Sequence, residues 1–291
     1  MEKRLGYWLI APAAITILLV AIYPIISVYI LSLTERLLSL GIDRFIWLQN
    51  YQKLLTDPRF WNAFTNTCIF TGVSVSLELL LGLAIALFIN RPFSLRGIIR
   101  AAVLLPWAIP TVVSAKMWAW IFNTDLGILN YALQSFGIIS SNLNWLGEPT
   151  LALGSAIIVD VWKTTPFAAL LLLAGLQIIP DDLYKAASVD GASNWQKFWH
   201  ITLPHLKPIM LIVLLFRTLD AFRIFDSIYI LTGGGPANST ETLSIYAYKI
   251  LFQTLDFGYG STIAVSVFIF VVLISLIYIF VLRKQGSLLN E

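Results

Sequence analysis

Ionisable side chains stand inside long apolar stretches of this 291-residue chain, where a charge is costly to keep. They are Glu78, Lys116, Asp160, Lys163, Arg217, Asp220, Arg223 and Asp226. Charged residues in such surroundings usually line a path for a polar solute or pair with one another. No nucleophile is placed with a base, and two histidines, His200 and His205, are too few for a metal site. These residues therefore predict hydrogen bonding and ion pairing, not catalysis.

Two groups of residues fall on single helix faces, because their spacing is i, i+3, i+4, i+7. The first group is Asp160, Lys163, Thr164 and Phe167. The second group is Arg217, Asp220, Ala221 and Ile224. A polyol suits such faces, since polar groups bond its hydroxyls and an aromatic ring covers its apolar side. The alternative is that Asp160–Lys163 and Arg217–Asp220 are ion pairs within their helices, without ligand contact. Glu78 and Lys116 are expected to pair between helices.

The composition indicates that these faces belong to a membrane protein. Hydrophobic residues make up 58% of the chain and charged residues 12%, and the mean hydropathy is +0.81. A soluble domain carries about 25% charged residues, so this chain has too few to cover an aqueous surface. The net charge of +3 is too small and too scattered to indicate nucleic-acid binding. Cys68 is the single cysteine, which excludes an intrachain disulfide.

Six apolar segments are close to the ~20 residues that cross a bilayer as a helix. They are residues 7–33, 62–90, 99–122, 151–179, 204–231 and 261–282. The first exceeds the core of a signal peptide and predicts an uncleaved anchor. We therefore expect an all-α polytopic membrane protein, with residues 1–291 forming a single transmembrane domain. Pro106 and Pro110 share the third segment, where they either break the helix beside a cavity or only bend it for packing.

Basic residues predict the orientation of the chain, because Lys and Arg concentrate in cytoplasmic loops. With the N-terminus inside, nine basic residues are cytoplasmic and five are external, and the loop 123–150 has none. The cytoplasmic set is Lys3, Arg4, Arg91, Arg96, Arg100, Lys185, Lys197, Arg283 and Lys284. We expect both termini in the cytoplasm.

The loop between the fourth and fifth segments has the pattern of a helix–turn–helix elbow. Acidic residues follow Pro180 and favour a helix start, and Gly191 frees the backbone for a turn. The residues that define the pattern are Lys185, Ala186, Ala187, Asp190, Gly191, Leu203 and Pro204. On these facts alone the elbow is an ordinary interfacial loop.

The spacing within this elbow resembles the EAA loop of ABC importer permeases. Two alanines, three residues, a glycine, nine residues and then Ile-x-Leu-Pro match the loop position for position. The resemblance implies the type I permease fold with six helices, and a coupling helix that sits in a groove of a cytosolic ATPase. Lys185 stands where the family usually has Glu, which puts in doubt a carboxylate contact at that position but not the shape of the elbow.

Other stretches resemble the maltose, glycerol-phosphate and trehalose permeases. Residues 231–236 (LTGGGP) are similar to that group, while 161–167 (VWKTTPF) and 215–226 (LFRTLDAFRIFD) are most similar to trehalose- and glucosylglycerol-type permeases. In the maltose relative the fourth and fifth spans cup the sugar, so the resemblance implies a polar cavity between the two predicted faces. It also implies four partners of this chain: a homologous second permease, two cytosolic ATPase subunits and an external solute-binding protein.

The chain has no GxxxxGK[ST] motif, so it lacks the usual phosphate loop. We expect no enzyme activity and no cofactor in this subunit; ATP and Mg²⁺ would be bound by the partner ATPases. The sequence therefore predicts a permease subunit that passes a sugar or sugar-like solute, such as trehalose, maltose or glucosylglycerol, to the cytoplasm. The alternative is an ion-coupled secondary transporter, which is disfavoured because no inverted repeat is visible.

Overall fold

The computed structural model describes residues 2–92 and 94–288, without the side chains of residues 2–8, 14 and 283–288. The predicted cytoplasmic residues Lys3, Arg4, Arg283 and Lys284 lie outside the described side chains. The described chain is predominantly helical. The helices are α1 Glu2–Ile17, α2 Tyr23–Ser32, α3 Gln49–Thr56, α4 Pro58–Asn90, α5 Arg96–Ala108, α6 Thr111–Ile121, α7 Ile128–Ser135, α8 Pro149–Ile178, α9 Asp181–Val189, α10 Asn194–Lys197, α11 Leu203–Phe222, α12 Asp226–Leu231, α13 Leu243–Phe252 and α14 Phe257–Leu288.

Five helical stretches are long and apolar enough to cross a membrane within the described residues, and α5 with α6 makes a sixth if the pair is one span. The five are Leu9–Ser32, Pro58–Asn90, Pro149–Ile178, Asn194–Phe222 and Phe257–Leu282. The five stretches and the α5–α6 pair each overlap one of the six predicted segments, so the expected helical membrane fold is confirmed. The first stretch joins α1 to α2 through a π-helical turn at Leu18–Ile22.

The third span is sharply broken. Its two halves, α5 and α6, meet at 93°, and the backbone of Ile109 between them is extended. Pro110 precedes the first residue of α6 and lacks the N–H that a continuous helix needs. Pro106 lies inside α5 without ending it. The prolines left open a break or a packing bend, and the structure shows a break, at Pro110.

The fifth span ends earlier than predicted. Helix α11 stops at Phe222, and α12 forms a separate short helix after three non-helical residues. Asp226 is the first residue of α12, where a carboxylate complements the positive end of the helix dipole. The predicted span 204–231 was therefore too long at its end, since apolar residues continue past the point where the backbone turns.

Residues up to 61 and residues 243–270 form one compact unit. It contains an antiparallel hairpin that the sequence did not predict, with β1 (Thr34–Leu37) paired to β2 (Ile42–Phe45) in the register Thr34↔Phe45. In the same unit the Asp57 carboxylate accepts hydrogen bonds from the hydroxyls of Tyr246 and Tyr259, each at 2.5 Å. Burial acts to raise the pKa of Asp57, but these bonds and two backbone amides outweigh it and lower the pKa below its usual range.

Residues 62–242 and 271–288 belong to the second unit. Its core surrounds α8, which packs against α5 and α11. Gly82 of α4 lies so close to α8 that a Cβ there would be 2.9 Å from the Cβ of Ala168. A Cβ on Gly175 would likewise be 2.6 Å from the Cδ1 of Ile209 on α11. Small residues at these two crossings let the helix backbones approach closely, as membrane helices commonly do.

Candidate functional site

A cavity of about 980 Å³, here called the solute cavity, opens at the break of the third span. Its walls are the adjoining ends of α5 and α6, the middle of α8, the last turns of α11 and the start of α12. Seven of the eight predicted solute-contacting residues line it: Asp160, Lys163, Thr164, Phe167, Arg217, Asp220 and Ile224. Ala221 does not line the cavity and is buried in the helix packing. The two predicted faces therefore meet across one polar space.

Arg217 is the centre of a buried ionic cluster in one wall of this cavity. Its Nε donates to Glu78, and one Nη donates to Glu78 Oε1 at 2.8 Å and to Asp160 Oδ2 at 3.3 Å. The other Nη donates to Asp220 Oδ2 at 2.5 Å. Thr164 donates its hydroxyl to Glu78 Oε1 at 2.7 Å. One guanidinium thus joins α4, α8 and α11 through three carboxylates.

The members of this cluster differ strongly in exposure. The side chains of Glu78, Arg217 and Asp160 are 0%, 5% and 6% exposed, whereas the side chain of Asp220 is 67% exposed. The first three form an enclosed interhelical bridge, while Asp220 keeps most of its carboxylate open to the cavity. Glu78 is therefore the interhelical partner that we expected, and Arg217 does more than pair within its own helix.

Lys163 does not form the ion pair with Asp160 that was considered as an alternative. Its Nζ instead donates to the backbone oxygen of Ile109 at 2.5 Å. That carbonyl lies at the break of the third span, where the α-helical hydrogen bonding of α5 has ended. The lysine thus donates a hydrogen bond to a backbone oxygen that the break leaves without a helical partner. Irregular backbone is tolerated at membrane depth when its polar groups are satisfied in this way.

Aromatic rings cover another part of the cavity wall. The rings of Trp107 and Phe167 lie 6.0 Å apart at an interplanar angle of 33°. Trp107 and the other residues at the break were not among the predicted site residues, although Pro110 inside an apolar segment was a signal for them. With hydrogen-bonding groups and apolar ring faces side by side, the cavity suits a ligand that has both hydroxyls and a hydrocarbon surface.

Lys116 departs from expectation. It is exposed on α6 and forms no ion pair with the side chains that the structure describes. The interhelical pairing expected of it is therefore absent within the described part of this chain. Arg223, by contrast, turns back to its own helix and donates Nε to the oxygen of Leu219 at 3.0 Å.

The predicted elbow is present, with α9 as its first arm and α10 as its second. Gly191 turns the chain between the arms with φ at +79°, a conformation that glycine adopts without strain. Ser193 and Gln196 form a capping box at the start of α10. Tyr184 on the first arm and Thr202 bring their hydroxyls within 2.9 Å, which ties the first arm to the π-helical turn that follows the second.

The remaining elbow residues occupy distinct positions. Lys185 is exposed and bonds Asp182 at 2.9 Å on the same helix, and Ala186 is exposed beside it. Ala187, Asp190 and Gly191 line a shallow groove between the arms. Leu203 and Pro204 begin α11, with the proline in its first turn, where its missing N–H is not needed. A π-helical turn at Phe198–Thr202 connects the second arm to α11 without a gap.

Comparison with known proteins gives one family and several full-length relatives. Residues 78–285 match the family described as the binding-protein-dependent transport system inner membrane component. The chain is 44% identical to the trehalose/maltose transport system permease protein of Thermococcus litoralis over 278 residues, which are 96% of this chain and 93% of that protein. It is 43% identical to the trehalose transport system permease protein of Mycobacterium tuberculosis over 279 residues, which are 96% of this chain and 88% of that protein.

Among solved structures, the fold is similar to a chain of a bacterial alginate ABC transporter crystallised in complex with an alginate pentasaccharide-bound periplasmic protein. The TM-score is 0.84 at 23% identity, and the match covers 98% of this chain and 96% of that chain. The likeness extends over nearly the whole chain, including both compact units.

Proposed function

The chain belongs to the family of binding-protein-dependent transport system inner membrane components, and from this premise we propose that it is a permease subunit of an ATP-driven importer for a sugar of the trehalose/maltose class. The observation that carries the proposal is the solute cavity, where Asp220, Lys163 and Arg217 meet the rings of Trp107 and Phe167. Its volume of about 980 Å³ lies at the upper end of the ~300–1,000 Å³ of small-molecule sites.

The charges that line the cavity favour an uncharged polyol over an anion. Three basic residues (Lys163, Arg217, Arg223) stand against three acidic ones (Asp160, Asp220, Asp226), and the enclosed Glu78 adds a further carboxylate behind Arg217. An anionic sugar would face this excess of carboxylates, whereas hydroxyls can both donate to carboxylates and accept from the lysine and arginines. The names of the two curated relatives point to the same class of solute.

The elbow would receive the movement of a cytosolic ATPase. Its groove offers Ala187 and Gly191, which carry little side-chain bulk, and its second arm continues into α11. From Gln196 to Arg217 the helical path is ~30 Å long at 1.5 Å per residue. A displacement at the elbow would therefore reach the ionic cluster through one nearly continuous helix.

The same proposal includes the partners and the orientation. Two ATPase subunits, a second permease and an external solute-binding protein would complete the importer, and ATP and Mg²⁺ would be bound by the ATPases. The elbow end of the molecule and both termini would be cytoplasmic, as the basic residues predict. The whole chain would act as one permease domain.

The test is uptake into proteoliposomes that contain the chain alone or with the second permease, the ATPase and the binding protein. We expect ATP-dependent uptake of labelled trehalose or maltose by the complete assembly and none by the lone chain. Uptake by the lone chain that follows an imposed proton gradient would overturn the proposal in favour of a secondary transporter.

A further inference from the structure

Lys116 stands in an exposed and otherwise apolar stripe along α6, here called the α6 stripe. The other members of the α6 stripe are Val112, Val113, Met117 and Trp120, all of them exposed. Helical spacing places these five residues on one side of α6, whereas Thr111 lines the solute cavity from the opposite side. The Lys116 ammonium forms no ion pair with the side chains that the structure describes. The α6 stripe is therefore a separate surface from the solute cavity, and it carries an unpaired charge.

Contacts with α8 place this lysine near the middle of a membrane span. Trp162 and Lys163 lie at the midpoint of α8, which is itself long and apolar enough to cross the bilayer. Lys163 bonds the oxygen of Ile109, just before α6, and the rings of Trp162 and Trp118 lie 5.6 Å apart. Lys116 lies between these two contacts in the sequence. The polar interface is ~15 Å from the middle of the hydrocarbon core, which is farther than the four-carbon stem of lysine extends.

Lipid alone is a poor cover for such a lysine. A charge at the centre of a bilayer is costly and usually faces protein or water. Helix α4, in the same compact unit, gives the comparison: its exposed positions from 69 to 81 carry only apolar side chains, glycine and one serine. That surface suits hydrocarbon without further help. The α6 stripe, by contrast, needs a covering surface that is apolar around one acceptor for the lysine.

We propose that the second permease docks on the α6 stripe and pairs one of its carboxylates with Lys116. The inference rests on the proposed function, which supplies the set of partners. Of these partners, the ATPases are cytosolic and the solute-binding protein is external, so only the second permease has residues at the depth of Lys116. The apolar members of the α6 stripe would keep water away from the ion pair, where the lower dielectric strengthens the attraction.

The same lysine would make the pairing selective. A second copy of this chain that docked through the α6 stripe about a two-fold axis would bring one Lys116 towards the other. The α6 stripe contains no acidic residue to relieve this repulsion. A carboxylate on the second permease replaces the repulsion with an attraction, so the α6 stripe favours a pair of different subunits over a pair of identical ones.

The first measurement is photocrosslinking in the assembled importer through Trp120→p-benzoylphenylalanine. We expect capture of the second permease. The matched control is the same replacement at Leu80, an exposed position of α4, which should capture lipid. If position 120 captures only lipid, a second copy of this chain, an ATPase or the solute-binding protein, the inference is wrong. ATP-dependent uptake by the same assembly tests the proposed function separately, so the two failures are distinguishable.

The second measurement is the rate at which the second permease dissociates from the immobilised importer in detergent. Lys116→Met should raise this rate about tenfold or more, because the partner's carboxylate loses a charged hydrogen bond. Lys116→Arg keeps the charge and should stay close to the parent. Leu80→Met is the matched control, since it puts the same side chain on a surface without a charge, and it should also match the parent. Equal rates for Lys116→Met and the parent would overturn the inference.

A charge exchange protects this test from a folding artefact. Lys116→Glu should release the second permease faster than Lys116→Met, because two carboxylates then face each other. Replacing the partner's acidic residue nearest to the crosslink by lysine should restore the slow dissociation. A folding defect of this chain would not be repaired by a change in the other subunit. If no acidic residue of the partner near the crosslink gives this rescue, the proposed ion pair is refuted.

Discussion

Arg217→Met and Asp220→Asn should damage the protein in different ways, because the two side chains share an ion pair but not an environment. Arg217→Met leaves the enclosed carboxylates of Glu78 and Asp160 without a cation, with the Thr164 hydroxyl still bonded to Glu78. Removing one partner of a buried ion pair costs ~3–5 kcal/mol. The Asp220 side chain is 67% exposed, and an exposed ion pair contributes only about 1 kcal/mol or less. Arg217→Met should therefore strongly destabilise the assembled complex, whereas Asp220→Asn should leave assembly intact and reduce uptake or change solute preference.

The assay is the melting temperature of the detergent-solubilised complex by size-exclusion chromatography, measured beside uptake in proteoliposomes. Arg217→Met with Glu78→Gln should recover part of the lost stability, because one of the two stranded carboxylates becomes neutral. Arg217→Met with Asp220→Asn should not recover it, since Asp220 does not need the arginine to stay solvated. If Asp220→Asn lowers the melting temperature as far as Arg217→Met, or if the double variant with Asp220→Asn restores assembly, the division of the cluster into a structural and a solute-facing part is refuted.

Gly191→Val should introduce ~1–3 kcal/mol of backbone strain, because φ at this position is +79°. The variant should insert normally into the membrane but show lower ATP hydrolysis when the binding protein is added. If its hydrolysis rate equals that of the parent, the coupling role of Gly191 is contradicted. Gly82→Ala should destabilise by ~1–3 kcal/mol, because its Cβ would lie 2.9 Å from the Cβ of Ala168. Gly72→Ala on the same helix has open space and should be neutral or stabilising by up to ~1 kcal/mol; equal melting temperatures for the two variants would contradict this packing. The pKa of Asp57 is lowered in the folded protein, so its carboxylate stabilises the folded state at pH values above the ordinary aspartate pKa of about 3.9. This stabilisation is lost as the pH falls through the lower pKa of the folded state. The melting-temperature difference between the parent and Asp57→Asn should therefore shrink in acid, and a constant difference would contradict the linkage.

The helical architecture of this molecule was predictable because every span in lipid must form its backbone hydrogen bonds within itself. Each span is therefore recognisable in the sequence by its length and hydropathy. The solute cavity was predictable in part, because helical spacing brings residues such as Lys163 and Phe167 to one face whatever the neighbouring helices do. The elbow was also visible, since Gly191 and the proline at 204 mark its turn and its exit. These features depend on local sequence.

The remainder depends on which helices are neighbours. Nothing in the spacing of Glu78 identified Arg217, 139 residues later, as its partner. The hydrogen bond from Lys163 to Ile109 joins two different spans. Helical periodicity describes each span by itself and cannot predict a contact between them. The hairpin at 34–45 was missed because its strands are only four residues each, too short for a clear alternation. The end of α11 was misplaced because apolar residues resume after the turn, at 228–231, so the charged Arg223 and Asp226 were placed inside the span.

The 93° break at Pro110 divides one helix dipole into two. In a continuous span, the partial charges of the peptide groups would cancel at this depth and appear only at the membrane surfaces. Here the negative end of α5 and the positive end of α6 both emerge beside the solute cavity, roughly half an elementary charge each. The Lys163 ammonium, bonded to Ile109, screens the negative end, while the amides at Thr111 keep a positive potential towards the cavity. Oxygen atoms of a solute in this cavity would therefore be drawn towards α6, and the broken span would orient the solute through its backbone alone.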